Sequence, residues 1–286
     1  MLRRQRRVAV GLSAPALVLI VLFSVVPLLA AIGLSFTSYD MFSAPRFVGL
    51  RNYRQLFADP VFWTAVRNTI GFALGQVSVG IVVVILVALL FNQALHGGAV
   101  MRTVVYLPQA ASYVVVALVW NLLLDPLSGP LSQLVQRLTG DTLSVLTSSR
   151  LALPAIVVVS LWRNLGYFMI IVLAALQAVP RELLEAAEVD GAGPISRFRW
   201  VTLPAIASAV IFVTITWFLG ALQMFTQSYV MTGGGPVNAT RTVVYIMYDQ
   251  AFAALNLGKA SAVAVLLFGS VVVVSAALRL LGRRTA

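Results

Sequence analysis

The chain has 286 residues, 60% of them hydrophobic and 10% charged, with a mean hydropathy of +0.96 and a formal net charge of +11. Its apolar content lies far above the roughly half expected of a soluble domain, so it needs a bilayer. The basic excess does not mark a nucleic-acid binder, because Lys and Arg sit between apolar spans rather than on one face. With no cysteine, disulfides, thiolate-bound zinc and thiol catalysis are excluded, and the only histidine, His96, cannot by itself build a metal site or a triad.

In chain order, hydropathy predicts about six transmembrane helices: Val8–Phe36, Thr64–Asn92, Thr103–Leu124, Leu151–Ala178, Pro204–Met231 and Lys259–Leu281. The first run follows Arg3, Arg4, Arg6 and Arg7 and is far longer than the roughly 7–15 apolar residues of a cleaved signal, so it reads as a span. An even number of spans puts both termini on one side. With the termini cytoplasmic, the inner segments hold Arg3, Arg4, Arg6, Arg7, Arg102, Arg181, Arg197, Arg199, Arg279, Arg283 and Arg284. The outer segments hold Arg46, Arg51, Arg54, Arg67, Arg137, Arg150, Arg241 and Lys259 on longer loops, so the positive-inside rule favours cytoplasmic termini. Tyr39, Phe42, Phe47, Tyr53, Phe57, Phe62, Trp63, Tyr245, Tyr248 and Phe252 read as membrane-edge anchors. The longest non-membrane segments are too short for an independent core, so residues 1–286 form a single transmembrane domain. Neither GxxxxGK[ST] nor GxGxxG occurs, so the chain binds no nucleotide by itself and the energy for any transport comes from elsewhere.

The loop 179–204, between the fourth and fifth spans, reads as helix, turn, helix. Pro180 suits a first helical position, Glu182 sits near the positive helix end, and Leu183 through Glu188 are strong helix formers. Gly191 supplies the left-handed residue that ends the first helix. The second starts near Pro194 and projects Ile195, Phe198 and Trp200 among Arg197 and Arg199, before Leu203-Pro204 return the chain to the membrane. Large apolar groups there want either the lipid surface, the chain's own bundle or a partner.

Polar groups within apolar spans mark a pathway or a contact between helices. The fourth span holds Trp162, Arg163, Asn164, Gly166 and Tyr167, and neighbouring spans add Gln109, Tyr113 and Gln223. A charge at mid-membrane costs about 2.5–3.5 kcal/mol on insertion scales, so Arg163 must meet water, a carboxylate or the bundle interior, or snorkel outward. Trp162, Asn164 and Tyr167 combine aromatic faces with an amide, as sugar sites do. The nine acidic residues, Asp40, Asp59, Asp125, Asp141, Glu182, Glu185, Glu188, Asp190 and Asp249, all fall in loops, which counts against an ion-coupled secondary carrier. No paired aspartates or Ser–His pair lies in the spans, which counts against an intramembrane enzyme, and no metal site or catalytic residue is expected.

Glu185-Ala186-Ala187, then Gly191, then Leu203-Pro204 resemble the EAA loop of bacterial ATP-binding-cassette (ABC) importer permeases. Leu176-Gln177-Ala178-Val179-Pro180 and Thr232-Gly233-Gly234-Gly235-Pro236 continue the match. Phe47-Val48-Gly49-Leu50-Arg51-Asn52-Tyr53, Asn68-Thr69 and Leu107-Pro108 are similar to the carbohydrate-uptake branch, in particular the first permease of a heterodimeric pair. The resemblance spans roughly residues 12–282. It implies an inner-membrane subunit that forms half of a pore with a second homologous permease, above two cytoplasmic ATPases that hold ATP-Mg, and receives solute from an extracytoplasmic binding protein. It assigns ATPase coupling to Glu185, Ala186, Ala187, Asp190, Gly191, Phe198, Leu203 and Pro204. It assigns the substrate pathway to Gln109, Tyr113, Trp162, Arg163, Asn164, Tyr167 and Gln223. The implied solute is a sugar, with a glycerol-phosphate-type anion as the alternative, because Arg163 could serve either.

Overall fold

A computed structural model describes residues 13–93, 97–140 and 144–282, with side chains through Ala277. His96, Arg3, Arg4, Arg6, Arg7, Asp141, Arg283 and Arg284 lie outside the described residues, as does the side chain of Arg279. The described residues are mostly helical. Four helices are long and apolar enough to cross a membrane: α1 (Ser13–Ser35), α3 (Pro60–Asn92), α7 (Ala152–Gln177) and a last helix over Leu257–Ala277, with up to six spans if two bent pairs each count as one. The pairs are α4 (Gly98–Ala110) with α5 (Tyr113–Leu123), bent by 98°, and α9 (Pro194–Ala205) with α10 (Ala207–Ala221), bent by 69°.

Two expected spans are therefore not continuous helices. The third is interrupted at Ala111-Ser112, where both residues are extended and Ser112 caps α5 by accepting from the Val115 amide (3.3 Å). Pro108 has no N–H to give the helix that precedes the break. The fifth stops at Ala221 and resumes as α11 (Thr226–Thr232), and the carbonyl of Met224 in the gap accepts from the buried Thr242 hydroxyl (2.7 Å). Tertiary partners thus take over backbone groups that a continuous helix would have satisfied.

The chain divides into two compact units, Met1–Phe62 with Ile246–Gly269, and Trp63–Tyr245 with Ser270–Ala286. In the first, α1 ends in a two-residue antiparallel ladder, Thr37 opposite Phe47 and Ser38 opposite Arg46, followed by α2 (Arg51–Ala58). Asn52 donates to the carbonyls of Ser35 (2.8 Å) and Thr37 (2.9 Å), and the Tyr53 hydroxyl donates to Ser35 Oγ (2.8 Å). The segment Phe47–Tyr53 is therefore a brace for the end of α1, and Tyr53 is a structural hydrogen-bond donor rather than a membrane anchor. Asp249 also departs from expectation, since it lies in a helical run and not in a loop.

In the second unit, α3, α5, α7 and α10 enclose two apolar cores. One gathers Phe72, Val116, Ile156, Val159 and Met224; the other gathers Val84, Phe168, Met169, Val172, Val213 and Trp217. Phe62 and Tyr245 are buried rather than at a membrane edge, whereas Phe42, Phe47, Trp63 and Phe252 are exposed. The paired motifs Asn68-Thr69 and Thr232–Pro236 belong together structurally. Asn68 donates to the carbonyls of Asn238 (2.8 Å) and Arg241 (3.0 Å), and Thr69 Oγ1 accepts from the Val243 amide (3.0 Å). Gly233 and Gly234, both left-handed, let the loop turn back so that Ser228, Thr232 and Thr240 bond one another beneath it.

Asp40 and Asp125 head identical turns. Each carboxylate accepts from the amides two and three residues on and from the serine hydroxyl three on, which holds both below the usual carboxylate range.

Candidate functional site

The cavity of the second unit has a volume of about 300 Å³ and lies where the two cores meet. Six of the seven expected pathway residues line it: Gln109, Tyr113, Arg163, Asn164, Tyr167 and Gln223. Trp162 does not. It points away, 44% exposed, with its ring edge-on to Trp120 at 5.6 Å. On α7, Arg163, Asn164 and Tyr167 fall within an arc of about 100° around the axis, and Trp162 lies outside it, about 160° from Asn164.

Arg163 faces the bundle interior and is 9% exposed. Its Nε and Nη2 donate to the Ala111 carbonyl (3.2 and 2.9 Å), Nη2 also to the Gln109 carbonyl (3.4 Å), and Nη1 to Gln109 Oε1 (2.9 Å) and Asn164 Oδ1 (3.3 Å). These carbonyls end α4, where a helix carries partial negative charge, so the cation sits where the backbone favours it. The Tyr113 ring covers the guanidinium at 3.7 Å, and its hydroxyl donates to Asn164 Oδ1 (2.9 Å). Close approach of α4 to α7 depends on Gly166, where a Cβ would overlap the Val105 carbonyl and the Tyr106 backbone.

Sequence reasoning missed the other side of the cavity. Gln76, within a long apolar run of α3, is buried. It donates to the Val157 carbonyl (2.7 Å) and accepts from Trp217 Nε1 (2.8 Å). Trp217 stacks on Phe168 at 4.4 Å and covers Gly80, where no Cβ fits. Thr216, Thr226 and Gln227 complete the polar lining, and none of the lining residues is acidic. A buried glutamine within an apolar span was the available signal.

The second feature is the loop. Helix α8 (Arg181–Val189) follows Pro180 and closes on Gly191 at φ +76°, with the Ala192 amide reaching back to the Ala187 carbonyl (2.9 Å). An ion pair between Arg197 and Glu188 (2.8 Å) ties α8 to α9. None of the residues from Arg181 to Ala205 is buried. Glu185, Ala186, Asp190, Gly191 and Pro204 are exposed, and Ala187, Phe198 and Leu203 are half-buried, Leu203 against the second core. The outward apolar groups are Leu183, Val189 (88% exposed), Ile195 (83%) and Trp200 (71%). Phe198 therefore turns inward more than expected, and Leu183 and Val189 join the outer face instead.

Comparison with known proteins agrees with this architecture. Residues 80–286 match the family model described as "Binding-protein-dependent transport system inner membrane component". The chain is 33% identical over 255 residues to the probable ABC transporter permease protein YurN of Bacillus subtilis (strain 168), covering 87% of each chain. It is equally identical to the sn-glycerol-3-phosphate transport system permease protein UgpA of Yersinia pestis bv. Antiqua (strain Antiqua), covering 88% of this chain and 86% of that one. Among solved structures it superposes on a chain of a bacterial ABC transporter that imports the acidic polysaccharide alginate, with a TM-score of 0.86 at 22% identity, over 98% of this chain and 96% of that one. With its apolar helices, its interrupted spans and its exposed loop, the chain belongs to the binding-protein-dependent transport system inner membrane components, the multi-pass permeases of ABC importers.

Proposed function

We propose that this chain acts as one permease domain forming half of the translocation pore for a sugar or sugar-like solute, with cytoplasmic termini and its loop 179–204 docked on an ATPase subunit. The observation that carries the coupling role is the loop itself. It holds Leu183, Val189, Ile195 and Trp200 out of any core around a locked Glu188–Arg197 pair, the form of a preorganised docking surface. ATP-driven closure of the ATPases would pull on α8 and α9, and α9 leads directly into α10 at the cavity wall. ATP-Mg belongs to those partners, and a second permease and an extracytoplasmic binding protein complete the assembly. Glu185 offers an exposed carboxylate to a basic group of the ATPase, and Ala186 and Ala187 allow close approach.

The cavity supports the solute class: amides and hydroxyls beside aromatic faces, with no carboxylate for proton or sodium coupling. The name of the related UgpA supplies the alternative of a glycerol phosphate. The coupling role is tested with the assembled importer in proteoliposomes. Glu185→Ala, and Gly191→Pro at a φ that proline cannot adopt, should each lower ATP-driven uptake while leaving the amount of chain in the membrane unchanged. Unaltered uptake and unaltered ATPase co-purification in both variants would refute it.

A further inference from the structure

We infer that Arg163 is a positioning residue that presents neutral amide donors to the solute, so that this half of the pathway selects an uncharged polyhydroxyl molecule over a phosphate- or sulfonate-bearing one. The inference deepens the proposed import of a sugar-like solute and rests on that reading.

Among the described residues Arg163 is the one charged residue lining the cavity, and an anion would need its N–H groups. A guanidinium has five, and five contacts inside the protein take them: two to the Ala111 carbonyl, one each to the Gln109 carbonyl, Gln109 Oε1 and Asn164 Oδ1. Tyr113 closes one face of the plane. No carboxylate lines the cavity, so the charge is balanced by the partial negative end of α4 and by amide oxygens, an arrangement that an incoming anion would have to dismantle.

The same contacts orient two side chains. An arginine only donates, so Gln109 and Asn164 must turn their oxygens to it, and the Tyr113 hydroxyl adds a second donor on Asn164 Oδ1. Their amide nitrogens have no acceptor among the described residues and belong to groups that line the cavity. The result is a set of neutral N–H donors in the cavity that Thr216, Gln223 and Thr226 also line, suited to hydroxyl groups that both donate and accept. Lysine could keep the charge at this position but could not hold two carbonyls and two amides in one plane.

The test uses the assembled importer in nanodiscs without ATP, with Gln223→Cys as the only thiol of this naturally cysteine-free chain, read by intact mass. Anionic sulfonatoethyl and cationic trimethylammonioethyl methanethiosulfonate should modify the thiol at rates within about tenfold of each other, relative to a free thiol, because a cleft with an open charge concentrates its counter-ion by about tenfold or more. Glucose should protect the thiol from a neutral reagent better than sn-glycerol 3-phosphate at equal concentration, and Arg163→Lys should lose that protection as fully as Arg163→Gln. A preference above tenfold for the anionic reagent, or protection by the phosphate that Arg163→Lys retains, would overturn the inference. Where neither solute protects or the Arg163 variants do not assemble, the reagent ratio in the Arg163 background decides. Neither readout consumes ATP, so failed coupling and failed selectivity are told apart.

Discussion

Trp217 is held at the cavity wall by three neighbours that leave it no alternative position. Phe168 stacks on it, Gly80 leaves room for its ring, and Gln76 accepts its indole N–H. Gln76→Leu keeps the volume but strands that buried N–H, at a cost of about 1–3 kcal/mol, while the Val157 carbonyl, inside α7, keeps its helical partner. The purified protein should unfold at a lower temperature, and an unchanged midpoint would show that water replaces the glutamine. Gly166 is more sharply constrained, because what a side chain would meet there is backbone of α4 rather than a movable side chain. Gly166→Val should separate α4 from α7 and prevent recovery of folded protein in detergent, while Gly220→Ala, where a Cβ meets nothing, should fold normally.

The broken span is the element on which the cavity depends. Gln109 and Tyr113, four residues apart, would share a face of a continuous helix as well; what the 98° bend adds is the freed carbonyls of Gln109 and Ala111, which hold Arg163 at the cavity wall. Ser112 caps one side of the break and Arg163 holds the other. Ser112→Ala should cost about 1 kcal/mol in thermal stability, as loss of an N-cap does. Span positions were legible in the sequence because hydropathy integrates over some twenty residues, and α7 and the last helix fall within a few residues of expectation. The breaks were not, because a hydropathy window averages over Pro108, Gln109 and Ser112, and what satisfies the freed carbonyls, Arg163 and Thr242, lies far away in the chain. Helical phase decided the rest. Six of the seven pathway residues that chemistry and the family resemblance singled out line one cavity, and Trp162 falls outside because its phase on α7 lies beyond the arc that holds Arg163, Asn164 and Tyr167.

At the scale of the whole molecule, the features divide by what they serve. The segments Phe47–Tyr53, Asn68-Thr69 and Thr232–Pro236 brace the fold through hydrogen bonds to backbone. The loop 179–204 carries its own Glu188–Arg197 tie, rests on the second core through Val179 and Leu203 at its two ends, and keeps Leu183, Val189, Ile195 and Trp200 outward, as a surface waiting for a partner does. Because α9 runs from that loop to the start of α10, and α10 carries Thr216 and Trp217 at the cavity, one short run of chain joins energy input to pathway. The most direct test of this account follows a thiol at Gln223→Cys in the assembled importer, with the partners' cysteines removed, labelled from the binding-protein side by a membrane-impermeant reagent. Trapping the ATPases in their ATP-closed state should change the labelling rate by about tenfold or more, and Glu185→Ala should abolish the change. Equal rates with and without the trapped nucleotide would contradict the claim that ATP acts through this loop on the cavity.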